Sequence, residues 1–238
     1  MIKTLRYAVM LTYLVVGSIA GLLVCVLRPF HPNNTMVAAR IFAAARPLLG
    51  LKRVIRGQEN LLTGESCIYI ANHQHNLDLF VLGCMVQPGT VTIGKTALKY
   101  IPFFGQLFWL SGNLFIDRGN NEKAVQTMQK ANQLIREKKL SVWVFPEGTR
   151  NKGHNLLPFK KGAFLTAMEL GLPIVPICTS SYPTGIQLNR LNAGEVHIEV
   201  LPAISLEGLG KDDLPMLMQT CHQQMQDTIA RLDAEIPA

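Results

Sequence analysis

At 238 residues, with 48% hydrophobic and 16% charged side chains, the chain can bury one sizeable core and falls outside the disordered and low-complexity classes. Its formal net charge of +7 favours an anionic partner: nucleic acid, an acidic lipid surface or a phosphorylated substrate. The five cysteines form no CxxC pair and read as small core residues in a reducing compartment, not as a disulfide framework.

The positive mean hydropathy of +0.20 is concentrated at the N-terminus. Residues 7–27 carry no charge, and as a helix they would run roughly 31 Å, close to the hydrocarbon thickness of a bilayer. Lys3 and Arg6 ahead of this stretch also fit a signal peptide. The stretch ends in Cys25-Val26-Leu27-Arg28-Pro29 without a small-x-small cleavage site, so a retained membrane anchor is expected, which argues against nucleic acid. Residues 37–51 set apolar side chains against Arg40 and Arg46 and read as an interfacial helix. Whether the first segment spans the bilayer or folds back with the second in one leaflet stays open. Arg28, Arg40, Arg46, Lys52, Arg53 and Arg56 outnumber the cations before the anchor, so the main domain is expected on the cytoplasmic side.

Beyond residue 57 strand-like and helix-like stretches alternate, as in an α/β domain. Strands are expected near 67–71, 90–93, 113–116, 140–145, 173–178 and 196–201, with helices near 77–86, 121–138, 160–170 and 212–233. The expected organisation is membrane-anchoring helices over 1–56 and an α/β domain over 57–238, built as a mixed sheet flanked by helices. The run at 100–110 is too apolar for an ordinary loop, and lipid contact, an acyl channel and buried core are all compatible with it.

The chemistry concentrates after the first of these strands. The run Cys67-Ile68-Tyr69-Ile70-Ala71 leads directly into Asn72-His73-Gln74-His75-Asn76-Leu77-Asp78. Neutral imidazole accepts a proton near pH 7, and a carboxylate on its other nitrogen fixes the tautomer and stabilises the imidazolium. Within one helix, His73 and Asp78 would lie roughly 140° apart and could not pair. A strand through Ile70, a turn holding His73, and a helix starting near Asn76 with Asp78 in its first turn would bring them together. The competing metal reading, from His73-x-His75, lacks its next ligands, because the fourth and fifth positions after His73 are Leu77 and Asp78.

Two later runs deliver arginines to strand ends: GNLFIDR at 112–118 and FPEGTR at 145–150. Arginine's planar fork suits phosphate oxygens, and Gly148 lets backbone approach a ligand. Each run alone is equally compatible with surface ion pairs. Together with NHQHNLD at 72–78 and the Pro-bearing strand LPIVPI at 172–177, they make the chain resemble the lysophosphatidic acid acyltransferases of the glycerolipid acyltransferase superfamily. The likeness covers nearly the whole chain.

That resemblance implies acyl transfer from acyl-CoA or acyl carrier protein to the 2-hydroxyl of lysophosphatidic acid, giving phosphatidic acid at a membrane, with no resident cofactor or metal. It implies His73 as general base and Asp78 as its orienter. Arg118, Glu147, Gly148, Thr149 and Arg150 would bind the acceptor's phosphate and glycerol, with Lys95 as an additional phosphate ligand. Backbone N–H groups near Gly148 are candidate oxyanion donors. A bacterial inner membrane is the implied location. Other acceptors on the same fold (glycerol 3-phosphate, another lysophospholipid, a lyso-ornithine lipid) remain open, as does a metal-dependent phosphohydrolase.

Overall fold

The computed structural model describes residues 1–117 and 121–236. In chain order its elements are α1 (Ile2–Leu27), α2 (Asn34–Ala44), β1 (Leu51–Arg56), β2 (Ile68–Ala71), α3 (Asp78–Leu82), β3 (Thr90–Lys95), α4 (Phe104–Leu110), β4 (Leu114–Ile116), α5 (Asn121–Lys138), β5 (Ser141–Val144), α6 (Gly162–Leu170), β6 (Ile174–Thr179), α7 (Tyr182–Gly185), β7 (Gly194–Val200) and α8 (Leu214–Ala234). Seven strands form one sheet in the order β1-β7-β6-β2-β5-β3-β4. The β6–β7 pair is antiparallel and the other pairs are parallel. This is the expected α/β mixed sheet flanked by helices.

Parallel strands covered on both faces read as continuous apolar runs, and β2 shows why. Ile68 and Ile70 enter the core beneath α5, α6 and α8, with Phe164, Cys221 and Met225. Tyr69 and Ala71 enter the opposite core beneath α1 to α4, with Phe42, Val81 and Leu107. All four residues are fully buried. The cysteines carry no disulfide, and Cys25, Cys67, Cys178 and Cys221 are buried.

Two expectations for the N-terminal region change. The sheet starts at Leu51, not after residue 57, because Leu51–Arg56 pairs in parallel with β7 as the edge strand. The segment 37–51 is not one interfacial helix. Its helical part ends at Ala44, Pro47 sits in a 3₁₀ turn, and Gly50 turns the chain at φ +70° into β1. Ala38, Ala39, Phe42 and Ala43 of α2 are buried against the domain.

Helix α1 is long and apolar enough to cross a membrane, by length and composition. Its inner side nevertheless rests on the domain from end to end. Arg6, itself buried, donates to the carbonyls of Leu188 (2.9 Å) and Leu191 (2.7 Å). Cys25 lies 3.5 Å from Ser111 at the other end. The outer side displays Leu5, Leu11, Val16, Leu23 and Val26 to solvent. The apolar run at 100–110 divides similarly: Leu107 and Phe108 are buried, while Tyr100, Phe103 and Trp109 are exposed.

Candidate active site

Strands β2, β5, β3 and β4 are mutually parallel, so their C-terminal ends share one edge of the sheet, where chain leaving the strands can converge on a site. After Ala71 the chain does not enter a helix at once. Asn72 locks both ways onto the Thr179 backbone at the end of β6, accepting from its N–H and donating to its carbonyl at 2.8 Å each. Gln74 donates to the carbonyls of Thr179 (3.1 Å) and Ser180 (2.7 Å). With residues 72 and 74 drawn inward, His73 between them remains partly exposed.

Asp78 opens α3, where a carboxylate suits the positive end of the helix. It is 3% exposed, so its charge must be matched by donors rather than by water. Oδ2 accepts from the Gln74 N–H (2.8 Å) and the His75 N–H (3.2 Å), and lies 2.6 Å from His73 Nδ1. Oδ1 accepts the Tyr182 hydroxyl at 2.5 Å. With its oxygens placed as acceptors for these donors, the carboxylate sets the His73 proton on Nδ1 and leaves the lone pair on Nε2. Nε2 has no hydrogen-bond partner among the described residues. Burial, and then the neighbouring Asp78 charge, push the Tyr182 hydroxyl well above its ordinary value, which keeps it a donor.

The opposite side of the imidazole is fixed by the β5 exit. The Phe145 ring stacks on His73 with centroids 4.1 Å apart and planes 17° from parallel. Glu147, 2% exposed, accepts the His73 N–H at 2.7 Å on one oxygen. Its other oxygen accepts Asn151 Nδ2 (3.1 Å) and the Leu157 N–H (3.0 Å). The Asn151 N–H returns a bond to the His73 carbonyl at 2.8 Å. Burial is the largest influence on Glu147 and raises its carboxyl above the ordinary value against the pull of these donors. The side chain therefore clamps backbone, and the expectation that it touches the acceptor changes: both oxygens face inward.

The exposed rim is cationic. Thr149 and Arg150 are exposed beyond the turn at Gly148, whose φ of +71° a side chain would disfavour. Lys95 is exposed at the end of β3, in register with Ile116 of β4. Arg118 lies outside the described residues. Arg150 stands near enough to His75 to lower its basicity, although burial is the larger cause and Asp78 opposes both. The Gly148 N–H donates to the Phe145 carbonyl at 3.1 Å, so that group is committed within its turn and not presented to an oxyanion. His75 Nδ1 accepts the Leu77 N–H, and among the described residues no three His, Cys, Asp or Glu side chains are gathered as metal ligands.

A family model described as Acyltransferase matches residues 52–180, more than half of the chain. The chain belongs to that family. A 1-acyl-sn-glycerol-3-phosphate acyltransferase of Haemophilus influenzae is 43% identical over 236 residues, covering 99% of this chain and 98% of its own. The enzyme of that name from Salmonella typhimurium is 41% identical over 236 residues, covering 99% and 96%. Among solved structures, the 1-acyl-sn-glycerophosphate acyltransferase of Thermotoga maritima superimposes with a TM-score of 0.78 at 21% identity, over 100% of this chain and 97% of that one.

Sequence reading missed several residues of this acyltransferase site. Asn72 and Gln74 belong to the quoted motif but were given no role; their alternation with His73 was the available signal. Tyr182 offers no local signal, because it reaches Asp78 from 104 positions away in sequence.

Proposed function

We propose that this acyltransferase moves a fatty acyl group from a thioester, acyl-CoA or acyl carrier protein, to the 2-hydroxyl of lysophosphatidic acid, forming phosphatidic acid. The observation that carries the reading is the 2.6 Å His73–Asp78 pair, with Nε2 unpartnered among the described residues and Arg150 exposed beyond the neighbouring β5 exit. The names and lengths of its relatives support the same acceptor.

In this reading Nε2 of His73 takes the hydroxyl proton as the lipid oxygen bonds to the thioester carbonyl carbon. Asp78 stabilises the imidazolium, an effect of about 10²–10⁴ in rate for a positioned base. Collapse of the tetrahedral adduct breaks the C–S bond, and the imidazolium returns the proton to the departing thiolate. No covalent enzyme intermediate forms. Arg150, Thr149, Lys95 and Arg118 bind the acceptor's phosphate, while Glu147 and Phe145 hold the base in place. The thioester is a co-substrate and no resident cofactor is required.

The helix α1 supports a one-leaflet anchor. A helix touching the domain at Arg6 and again at Cys25 lies along it and leaves its apolar outer side for lipid. The cations flanking it favour the cytoplasmic face of a bacterial inner membrane.

Purified protein with labelled lysophosphatidic acid and acyl-CoA should yield labelled phosphatidic acid. His73→Ala should lose turnover by at least about 10²-fold with lipid binding retained, and Arg150→Ala should chiefly raise KM for the acceptor. Metal-dependent phosphate release in place of acyl transfer would overturn the proposal.

A further inference from the structure

A transfer without a covalent intermediate needs both substrates present at once, and both are anionic. The exposed cations Lys95, at the end of β3, and Arg150, beyond the end of β5, both belong to the β5-β3 flank of His73. Strand β2 lies between β5 and β6, so the β6 side is a second flank. There a half-open cavity of about 370 Å³ is enclosed between the first turns of α1 and the chain following β6. That volume is within the range of ligand pockets.

Its inner end abuts the catalytic pair. His75 and Tyr182 line it, and both donate to the Asp78 carboxylate, through the His75 N–H and the Tyr182 hydroxyl. Its rim carries Lys3 and Arg190, both exposed, and neither has a carboxylate within ion-pair distance among the described residues. The walls are built rather than incidental. The buried Arg6 guanidinium binds the Leu188 and Leu191 carbonyls, and the Lys3 N–H donates to Asn189 Oδ1 at 3.3 Å, stitching α1 to the opposite wall. Between them the lining alternates amides, Gln187 and Asn189, with the apolar Ile186.

The geometry points to this cavity as the seat of the donor's phosphorylated pantetheine arm, with its phosphate on Lys3 and Arg190 and its thioester end directed toward His73. The arm suits the lining, having amides for Gln187 and Asn189 and a branched apolar segment for Ile186. It is common to acyl-CoA and acyl carrier protein, so the site serves either source. Lys3 at the start of an apolar helix, with Arg190 facing the same cavity, also fits an anionic lipid headgroup. A headgroup at the bilayer surface, however, would not require a recess ending on the donors to Asp78. The inference rests on the acyl-transfer reading of His73.

The test uses full-length protein in detergent micelles with Lys3→Ala, Arg190→Ala and the double variant, checked for unchanged thermal unfolding. Each single change should raise KM for palmitoyl-CoA about fivefold, and the pair about twentyfold, with the difference shrinking at high salt. KM for palmitoyl-pantetheine, which lacks the phosphate, and KM for lysophosphatidic acid should not move. An equal rise with palmitoyl carrier protein assigns the cations to the shared phosphodiester. A rise confined to the CoA thioester would assign them to the nucleotide end and overturn the placement of the shared phosphate on Lys3 and Arg190. A raised KM for lysophosphatidic acid alone, no change in any KM, or lost vesicle binding with donor kinetics intact would each overturn the inference. Equilibrium binding of palmitoyl-CoA to wild type and double variant separates the two readings: absence of turnover on lysophosphatidic acid would refute the function, while equal binding by the two proteins would refute the site.

Discussion

Tyr182→Phe removes one oxygen and nothing else from the site, so its consequences can be worked from four hydrogen bonds. Asp78 Oδ2 keeps His73 Nδ1 and two backbone N–H donors, whereas Oδ1 loses the Tyr182 hydroxyl, its partner in the protein. The carboxylate is 3% exposed and water cannot readily replace the donor. An unsatisfied buried group of this kind costs about 2 kcal/mol, which for a domain of this size lowers Tm by roughly 4–8 °C. Because three donors still hold Oδ2, His73 should keep its tautomer and most of its alignment. We expect kcat to fall about tenfold, with KM for the acceptor unchanged, since the hydroxyl contacts Asp78 and not the cationic rim. Thermal unfolding and steady-state kinetics on the purified variant measure both. Wild-type Tm together with wild-type kcat would show that Tyr182 does not hold Asp78.

Three further changes probe the same framework. Asp78→Asn keeps the shape but not the charge that stabilises imidazolium, and kcat should fall about 10³-fold with the fold intact; activity within tenfold of wild type would remove Asp78 from the mechanism. Glu147→Gln sets an amide NH₂ against either the His73 N–H or the Asn151 and Leu157 donors, so kcat should drop about tenfold. Its pH dependence has a definite sign. The folded state raises the Glu147 carboxyl above its ordinary value, so the ionised form costs stability and that cost is relieved as pH falls through the folded value. Wild-type Tm should therefore gain on the glutamine variant as pH falls from neutrality toward the ordinary carboxylate range, and a pH-independent difference would contradict the assignment. Gly50→Ala places a Cβ at φ +70° against the Arg6 guanidinium and the Leu191 carbonyl, and should cost about 2 kcal/mol or more. An unchanged unfolding temperature would show that α1 is not held where Arg6 places it.

What the sequence disclosed follows from the range of the forces involved. The buried strands were legible because a strand covered on both faces needs apolar residues throughout, as in Ile68–Ala71. The His73–Asp78 arrangement was legible because a helix forbids their pairing and a turn allows it. Strand β1 was not, since Leu51–Arg56 carries three cations and gains its place from pairing with β7 more than a hundred residues later. Glu147 shows the limit at the site itself. Its position in FPEGTR marks it as functional, but sequence cannot tell a carboxylate aimed at a ligand from one aimed at the backbone of His73. Only the fold, which brings the β5 exit alongside the β2 exit, decides between them.

In the proposed reading α1 is both an anchor and a support for the His73 site, and its two sides show how one helix can serve as both. A tether alone would require only the outer apolar surface. The inner side instead carries small residues at four-residue spacing, with Gly17 against Phe42 and Ile41, Gly21 against Leu107, and Cys25 beyond them. A Cβ on Gly21 would lie 2.9 Å from a Leu107 methyl, so close approach to α4 depends on its absence. At the N-terminal end, Arg6 binds the Leu188 and Leu191 carbonyls within the segment that follows Tyr182, and Tyr182 in turn donates to Asp78. The path from helix to base is thus a short chain of packed backbone and four named side chains. In the proposed reaction a lipid hydroxyl must come within hydrogen-bond reach of His73 Nε2 for the proton to move. With α1 fixed to the domain at both ends, the depth of that nitrogen relative to the apolar surface is set by packing and does not vary with a flexible linker.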